Sequence, residues 1–286
     1  MIRSGDIADF SSAHPATIVA ELISVKGSSP REEGAFMLIA PDALLGTIGG
    51  GALEYLVIRR ARQALRDGET PPGLDVPLGP EIGQCCGGRV GVSLRVMTAE
   101  TALELRQRQA TAEAGRPDVY IFGSGHVGKA LVRALAPLPL HVHVIDTRPD
   151  ELGDVPAGVE ARAVPMPEAM VRSAPLGSSY VILTHDHALD FLIAAEALAR
   201  ADAPYVGMVG SRTKRARFAS WYAEQGGSKE QLQRLVLPIG AFGLVDKRPE
   251  VIAALAAAEI LVQIGRREVS VLRAPESKVD LGAAVD

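Results

Sequence analysis

The sequence predicts a mixed α/β chain in two parts: an α+β unit over residues 1–98 and a doubly wound parallel sheet over residues 117–268. Three observations predict this. From Asp118 onward, short apolar runs alternate with amphipathic helical patterns, which implies a parallel sheet covered by helices on both faces. The turn Gly123-Ser124-Gly125-His126-Val127-Gly128 stands between the first of these runs and the first helix. Upstream, several strand-like runs and one amphipathic helix succeed one another through short connections, which is α+β organisation.

In the first part, residues 17–25 read as a strand, and Gly27, Ser28, Ser29 and Pro30 turn the chain. Residues 35–40 and 44–48 read as two further strands around Pro41-Asp42. Leu53, Leu56, Val57, Ala61 and Ala64 recur at helical spacing up to Gly68, and residues 90–97 read as another strand. Residues 99–116, rich in Glu, Arg, Gln and Ala with a thin apolar stripe, read as a connecting helix and linker. In the second part, strands are expected at 119–122, 141–145, 161–164, 180–183 and 205–209. The first helix carries Val127, Ala130, Leu131, Ala134, Leu135 and Leu138 on one stripe. A last, largely apolar helix opens with Pro249 and is expected to end near Gly265, with a loose tail over 269–286.

The 286 residues suit about two domains. Aromatics at 4% argue against a base-stacking platform, and a net charge of −4 argues against nucleic acid or an anionic membrane as partner. No apolar run approaches the roughly 20 residues of a membrane span. The first residues carry an early acid, Asp6, and no secretory apolar run, so a cytoplasmic protein is expected.

The two cysteines, Cys85 and Cys86, are adjacent. Neighbouring Cα atoms lie ~3.8 Å apart, below the span of a relaxed disulfide, so two reduced thiols are expected. The stretch Gly83-Gln84-Cys85-Cys86-Gly87-Gly88 is poor core material, and thiolates are soft ligands and nucleophiles, which points to a functional pair. Packing as small apolar residues is the alternative.

The Gly123-to-Gly128 turn has the context of a dinucleotide fingerprint, so the second part reads as a Rossmann-like domain. Gly123 allows the tight turn, Gly125 lets a phosphate approach the backbone, and Gly128 lets the helix pack close. Asp146 ends the second strand about 20 residues on, where an acid would hold a ribose. A loop retained for packing alone is the competing reading. Thr184-His185-Asp186-His187 follows the fourth strand; His185 and Asp186 are candidate ligand contacts, the two histidines around a carboxylate are also a metal donor set, and simple helix capping is the alternative. Ser211-Arg212-Thr213-Lys214-Arg215 puts three cations at a helix start, against the dipole, so Arg212, Lys214 and Arg215 point to a bound anion or an acidic partner; a solvated face is the alternative. Gly49, Gly50 and Gly51 precede the amphipathic helix of the first part and would leave amides for an anion.

Taken together, these stretches resemble the XdhC/CoxI family of xanthine dehydrogenase accessory proteins. The resemblance rests on Gly27-Ser28-Ser29-Pro30-Arg31, on Gly46-Thr47-Ile48-Gly49-Gly50-Gly51-Ala52-Leu53-Glu54 and on the Gly83-to-Gly88 stretch. It continues through the Gly123-to-Gly128 turn, Thr184-to-His187, Gly210-to-Phe218 and Pro238-Ile239-Gly240, in order over roughly residues 15–265. It implies a chaperone that binds molybdenum cofactor of the molybdopterin type, works with a cysteine desulfurase during sulfuration, and delivers the cofactor to apo xanthine dehydrogenase without turnover of its own. It implies a cofactor role for Gln84, Cys85 and Cys86, the two thiols in contact with molybdenum, and a homo-oligomer is expected. The competing function is an NAD(P)-dependent oxidoreductase built on the Gly123-to-Gly128 turn and Asp146, with His185 or His187 as acid or base. A nucleotide-sensing domain is a third option, which leaves the cysteine stretch unexplained.

Overall fold

The computed structural model describes residues 2–79, 87–241, 244 and 246–273. It divides into two units, Met1–Gly115 and Arg116–Asp286.

The strands of the first unit are β1 (Ile18–Lys26), β2 (Phe36–Ile39), β3 (Leu44–Gly46), β4 (Leu74–Pro77) and β5 (Arg89–Val96). They form one antiparallel sheet in the order β3-β2-β1-β5-β4. Its helices are α1 (Ser4–Ala13), α2 (Gly51–Asp67) and α3 (Ala99–Ala114). Because strand side chains alternate between faces, the central strand β1 serves two cores. Ile18, Ala20 and Leu22 meet Leu53, Val57, Ala61 and Ala64 of α2. Val19 meets Ile7 of α1 and Leu105 of α3 on the other face.

Helix α3 is therefore a packed layer of the first unit, where the sequence suggested a connector. Its apolar stripe is thin because Leu105 alone is buried among its residues. Charge does the rest of the docking: Arg108 bonds Glu21 of β1, and Arg95 of β5 reaches Glu21 at 2.9 Å and Glu104 of α3 at 3.6 Å. Helix α1 escaped sequence reading for a related reason. Only Ile7 is buried in it, and its start is held by Glu113 of α3, which accepts from the Ser4 amide at 2.9 Å and hydroxyl at 3.0 Å.

The second unit holds β6 (Asp118–Phe122), β7 (His141–Asp146), β8 (Glu160–Ala163), β9 (Ser179–Ile182), β10 (Val206–Met208) and β11 (Leu235–Val236). Their order is β11-β10-β9-β6-β7-β8, with every pairing parallel. The helices are α4 (His126–Leu135), α5 (Glu168–Ser173), α6 (His187–Ala199), α7 (Arg212–Glu224), α8 (Lys229–Gln233) and α9 (Pro249–Arg273). One face of the sheet is covered by Leu131, Val132 and Leu135 of α4 with Ala253, Ala256 and Ile260 of α9. The other is covered by Ile193, Ala197 and Leu198 of α6 with Phe218 and Tyr222 of α7. The expected stop near Gly265 is corrected: α9 continues through it to Arg273. A single glycine costs a helix interior only about 1 kcal/mol, which burial of the flanking Ile260 and Ile264 offsets.

The chain runs outward from β6 through β7 to β8, then returns to β9 on the opposite side. The loops after β6 and β9 consequently diverge and leave a crevice at the carboxyl ends of the strands. Among the described residues no helix is long and apolar enough to cross a membrane.

Candidate functional site

The crevice is built from the loop after β6, the start of α4, the end of β7 and the loop after β9. It encloses about 520 Å³ and is lined by Gly125, His126, Lys129, Arg148, Glu151, Thr184 and His185, among others.

The three glycines of the loop have separate duties. A Cβ on Gly123, whose φ is +112°, would lie 2.3 Å from the Leu183 carbonyl oxygen, and a Cβ on Gly128 would lie 2.0 Å from the Gly123 carbonyl oxygen. Those two are required for the chain to pack on itself. Gly125 has nothing within 4 Å of an added Cβ and faces the crevice. No clash demands a glycine there; glycine is also a favoured N-cap residue, and without a side chain it leaves the backbone open to the crevice. Gly125 stands at the N-cap of α4 without a side chain to cap it, and no acid stands in the first turn. Such a helix start offers amides and a partial positive charge to an anion.

Asp146 departs from its expected role. Its carboxylate is almost completely buried; it accepts from the Ser124 amide at 2.8 Å and from the Arg148 guanidinium at 3.0 and 3.1 Å. Burial pushes this carboxyl up, but the bonds from Arg148 and the Ser124 amide outweigh it and hold it below the ordinary value of 3.8. Asp146 thus fixes the glycine loop, and both oxygens are taken before any ribose arrives. Arg148 also reaches Glu151 at 3.5 Å, and Glu151 accepts from Lys129 at 2.7 Å. Arg148, Glu151 and Lys129 therefore line one side of the crevice in alternating charge, with the buried Asp146 behind Arg148. Sequence reasoning singled out only Asp146 of these; the cations lie one residue after Gly128 and two after Asp146.

The Thr184-to-His187 stretch splits. His185 is exposed and lines the crevice, as does His126 opposite. Asp186 caps α6, accepting from the Ala188 amide at 2.7 Å. His187 lines a different cavity with Phe191, Arg217 and Trp221. The metal reading of this stretch is thereby corrected: among the described residues no three His, Cys, Asp or Glu side chains are grouped to hold a metal ion.

The cation cluster on α7 is corrected for two of its three members. Lys214 is buried, donates to the Val209 carbonyl at 2.9 Å and pairs with Asp190, which is fully buried and also accepts from Thr184. Arg215 donates to the carbonyls of Leu235 and Leu237 at 3.1 and 3.2 Å. Lys214 answers a carboxylate of the chain, and Arg215 two of its backbone carbonyls. Arg212 alone stands exposed at the first position of the helix.

In the first unit, Gly49, Gly50 and Gly51 all have positive φ. Two of their amides are met within the chain: Glu54 of the same helix accepts at Oε1 from the Gly50 amide at 2.8 Å, together with the Ile48 amide at 3.0 Å and the Thr47 hydroxyl, and that hydroxyl accepts from the Gly49 amide at 3.2 Å. Burial raises the Glu54 carboxyl, but these bonds prevail and hold it below the ordinary 4.5. For the Gly50 amide the chain supplies the anion that the sequence left to a ligand.

Gln84, Cys85 and Cys86 lie outside the described residues. The base of their connection is described. The Leu78 amide donates to the Gly88 carbonyl at 2.7 Å, and the Gly87 amide donates to the Leu78 carbonyl at 2.9 Å, extending the β4–β5 ladder. Gly88 lies so close to the turn after β1 that an added Cβ would fall 2.1 Å from the Ser28 carbonyl oxygen. Pro30 of that turn would touch a Cβ on Gly49 at 3.3 Å. Three stretches far apart in sequence, the Gly27-to-Arg31 turn, the triple glycine and the base of the cysteine connection, thus meet in one place.

The second unit matches the XdhC Rossmann domain over residues 119–260, and the first matches the XdhC and CoxI family over residues 12–74. YqeB of Escherichia coli (strain K12), an uncharacterized protein, is 26% identical over 258 residues; the match covers 85% of this chain and 42% of YqeB, so the chain spans less than half of that relative. In fold the chain is similar to a Bacillus halodurans protein described as a xanthine dehydrogenase, with a TM-score of 0.75 and 20% identity over 93% of this chain and 96% of the other. With both units matched in chain order, this chain belongs to the XdhC and CoxI family.

Proposed function

We propose that the chain is an accessory protein of a xanthine dehydrogenase type of molybdenum enzyme, which binds the molybdenum cofactor as cargo and passes it on. The observation that carries this reading is Gly125: a glycine the fold does not require, at an uncapped helix start, facing a crevice with Lys129, Arg148 and two imidazoles. Those donors fit a phosphate of the kind molybdopterin bears. When bound, the cofactor brings its molybdenum centre, whose redox chemistry belongs to the acceptor enzyme. The chain's part is to hold the anionic group against the α4 amides, with Lys129 turning from Glu151 toward it and Arg148 kept on Asp146. Cys85 and Cys86 keep the cofactor role that the family pattern gives them, on the softness of thiolate toward molybdenum. Cooperation with a cysteine desulfurase and assembly as a homo-oligomer belong to the same reading.

Saturation of Asp146 by Arg148 and the Ser124 amide supports cofactor cargo over an NAD-dependent oxidoreductase, which needs a free acid for the ribose diol. The test is anaerobic loading with molybdenum cofactor, followed by molybdenum and pterin per chain for the parent, Gly125→Val and the Cys85→Ala/Cys86→Ala double variant. The parent is expected to load, and both variants are expected to lose retention while staying folded. A parent that binds no pterin, or one that binds NADH and transfers hydride, would overturn the reading.

A further inference from the structure

Helix α2 carries four arginines, Arg59, Arg60, Arg62 and Arg66, none with a carboxylate partner among the described residues. By contrast, Arg89, Arg95, Arg108, Arg133, Arg148 and Arg200 are each ion-paired. Three of the four form a stripe. Tyr55, Arg59, Arg62 and Arg66 follow at i, i+4, i+7 and i+11, which places them on one side of a helix with 3.6 residues per turn. That side is opposite Leu53, Val57, Ala61 and Ala64, the buried face of α2. Tyr55 is 77% exposed. With Ala52, Leu56 and Ile58 the stripe forms a groove of about 610 Å³.

A tyrosine, three guanidinium groups and aliphatic stems on a rigid helix are the composition of a protein contact. Arg62 donates to the Ala40 carbonyl at 3.2 Å and Arg66 to the Gln63 side-chain oxygen at 2.5 Å, but both acceptors are neutral, so the positive charge of the three stripe guanidinium groups is left for a negative surface opposite them. A second copy of this chain meets that demand poorly, because a two-fold contact would set the stripe against itself, cation against cation. A single exposed aromatic gives little to stack on bases. We propose that the outward face of α2 docks an acidic surface of the enzyme that receives the cofactor. This deepens the function proposed above and rests on it for the identity of the partner.

The experiment titrates cofactor-free xanthine dehydrogenase against the full-length chain and its Arg59→Glu/Arg66→Glu variant at low and raised ionic strength. Cofactor loading of both proteins is measured in parallel. Both positions are exposed, so the variant is expected to melt with the parent; if it does not, Arg59→Ala/Arg66→Ala replaces it. The expected result is roughly tenfold weaker docking for the variant, parental affinity that falls with salt, and equal cofactor loading. Arg59→Lys/Arg66→Lys should restore most of the affinity. Unchanged affinity in the glutamate variant, or no docking by a parent that loads cofactor, would overturn the proposal and leave the proposed function standing. Loss of self-association with docking intact would overturn it in favour of a contact between copies. A parent that docks but loads no cofactor would sink the functional reading and leave the docking face in place, so the two failures are separable.

Discussion

Each unit has a glycine-rich loop that opens an amphipathic helix, and the two loops do opposite things. Before α2 stand three positive-φ glycines, and Glu54, the fourth helical residue, supplies the carboxylate that binds the Ile48 and Gly50 amides. Before α4, the fourth helical residue is Lys129, no acid stands in the first turn, and Gly125 faces open space. The first loop is a closed capping device, and the second is a helix start with its positive end toward a crevice. Glycine content alone therefore does not mark an anion site. What marks it is whether the chain already provides the anion.

The largest expected effect is at Lys214, a cation spent on Asp190 and so not available to a ligand. Lys214→Met leaves Asp190 buried and unpaired, and is expected to cost about 3–5 kcal/mol of stability, read as a shift in denaturant midpoint. A loss confined to ligand binding, with stability unchanged, would return Lys214 to the ligand. Next, Lys129→Glu gives the second loop the residue that closes the first. Cofactor loading should fall by roughly tenfold or more, while stability changes by about 1 kcal/mol or less because the Lys129–Glu151 pair is about a third exposed.

In the first loop, Glu54→Gln should destabilise the protein by about 1 kcal/mol at neutral pH. The Glu54 carboxyl is held below its ordinary 4.5, so its contribution is complete above that pH and disappears as pH falls through the lower folded value. Parent and variant melting curves should therefore converge on acidification; a constant gap would show that charge is not what Glu54 contributes. The smallest effect is at Arg212, the exposed cation at the start of α7. Arg212→Glu should stabilise by about 0.3–1 kcal/mol, and a stabilised variant that also retains full cofactor loading would leave Arg212 without a ligand role.

Much of the second unit was legible in sequence because period, turn chemistry and connection length agree there. The stripe from Val127 to Leu138 predicted α4, and the glycine turn predicted the switch point that the β6–β9 pairing now shows. The first unit was legible only where apolar periodicity was strong. Helix α1 and the packing of α3 were missed because one buried residue each, Ile7 and Leu105, carries the apolar signal while Glu21, Glu113 and Arg108 hold them in place. Charged side chains give no period to read, since an ion pair needs proximity in space and not spacing in sequence.

What the sequence by itself determined is the strand–helix alternation at the core of the second unit, most strands of the first, the place of the two glycine loops, and the residue types gathered near them. Spacing at 2 and 3.6 residues and the steric freedom of glycine are local properties, present before the chain folds. Only the tertiary structure decided which charges remain available to a ligand. Asp146 reads as a ribose acid until Arg148 and the Ser124 amide saturate it, Lys214 reads as an anion-binding cation until Asp190 neutralises it, and the triple glycine reads as an open nest until Glu54 fills it. The physical reason is that a charge in a partly buried site is spent on its nearest partner, and for Asp190 and Lys214 that partner stands 24 residues away in sequence.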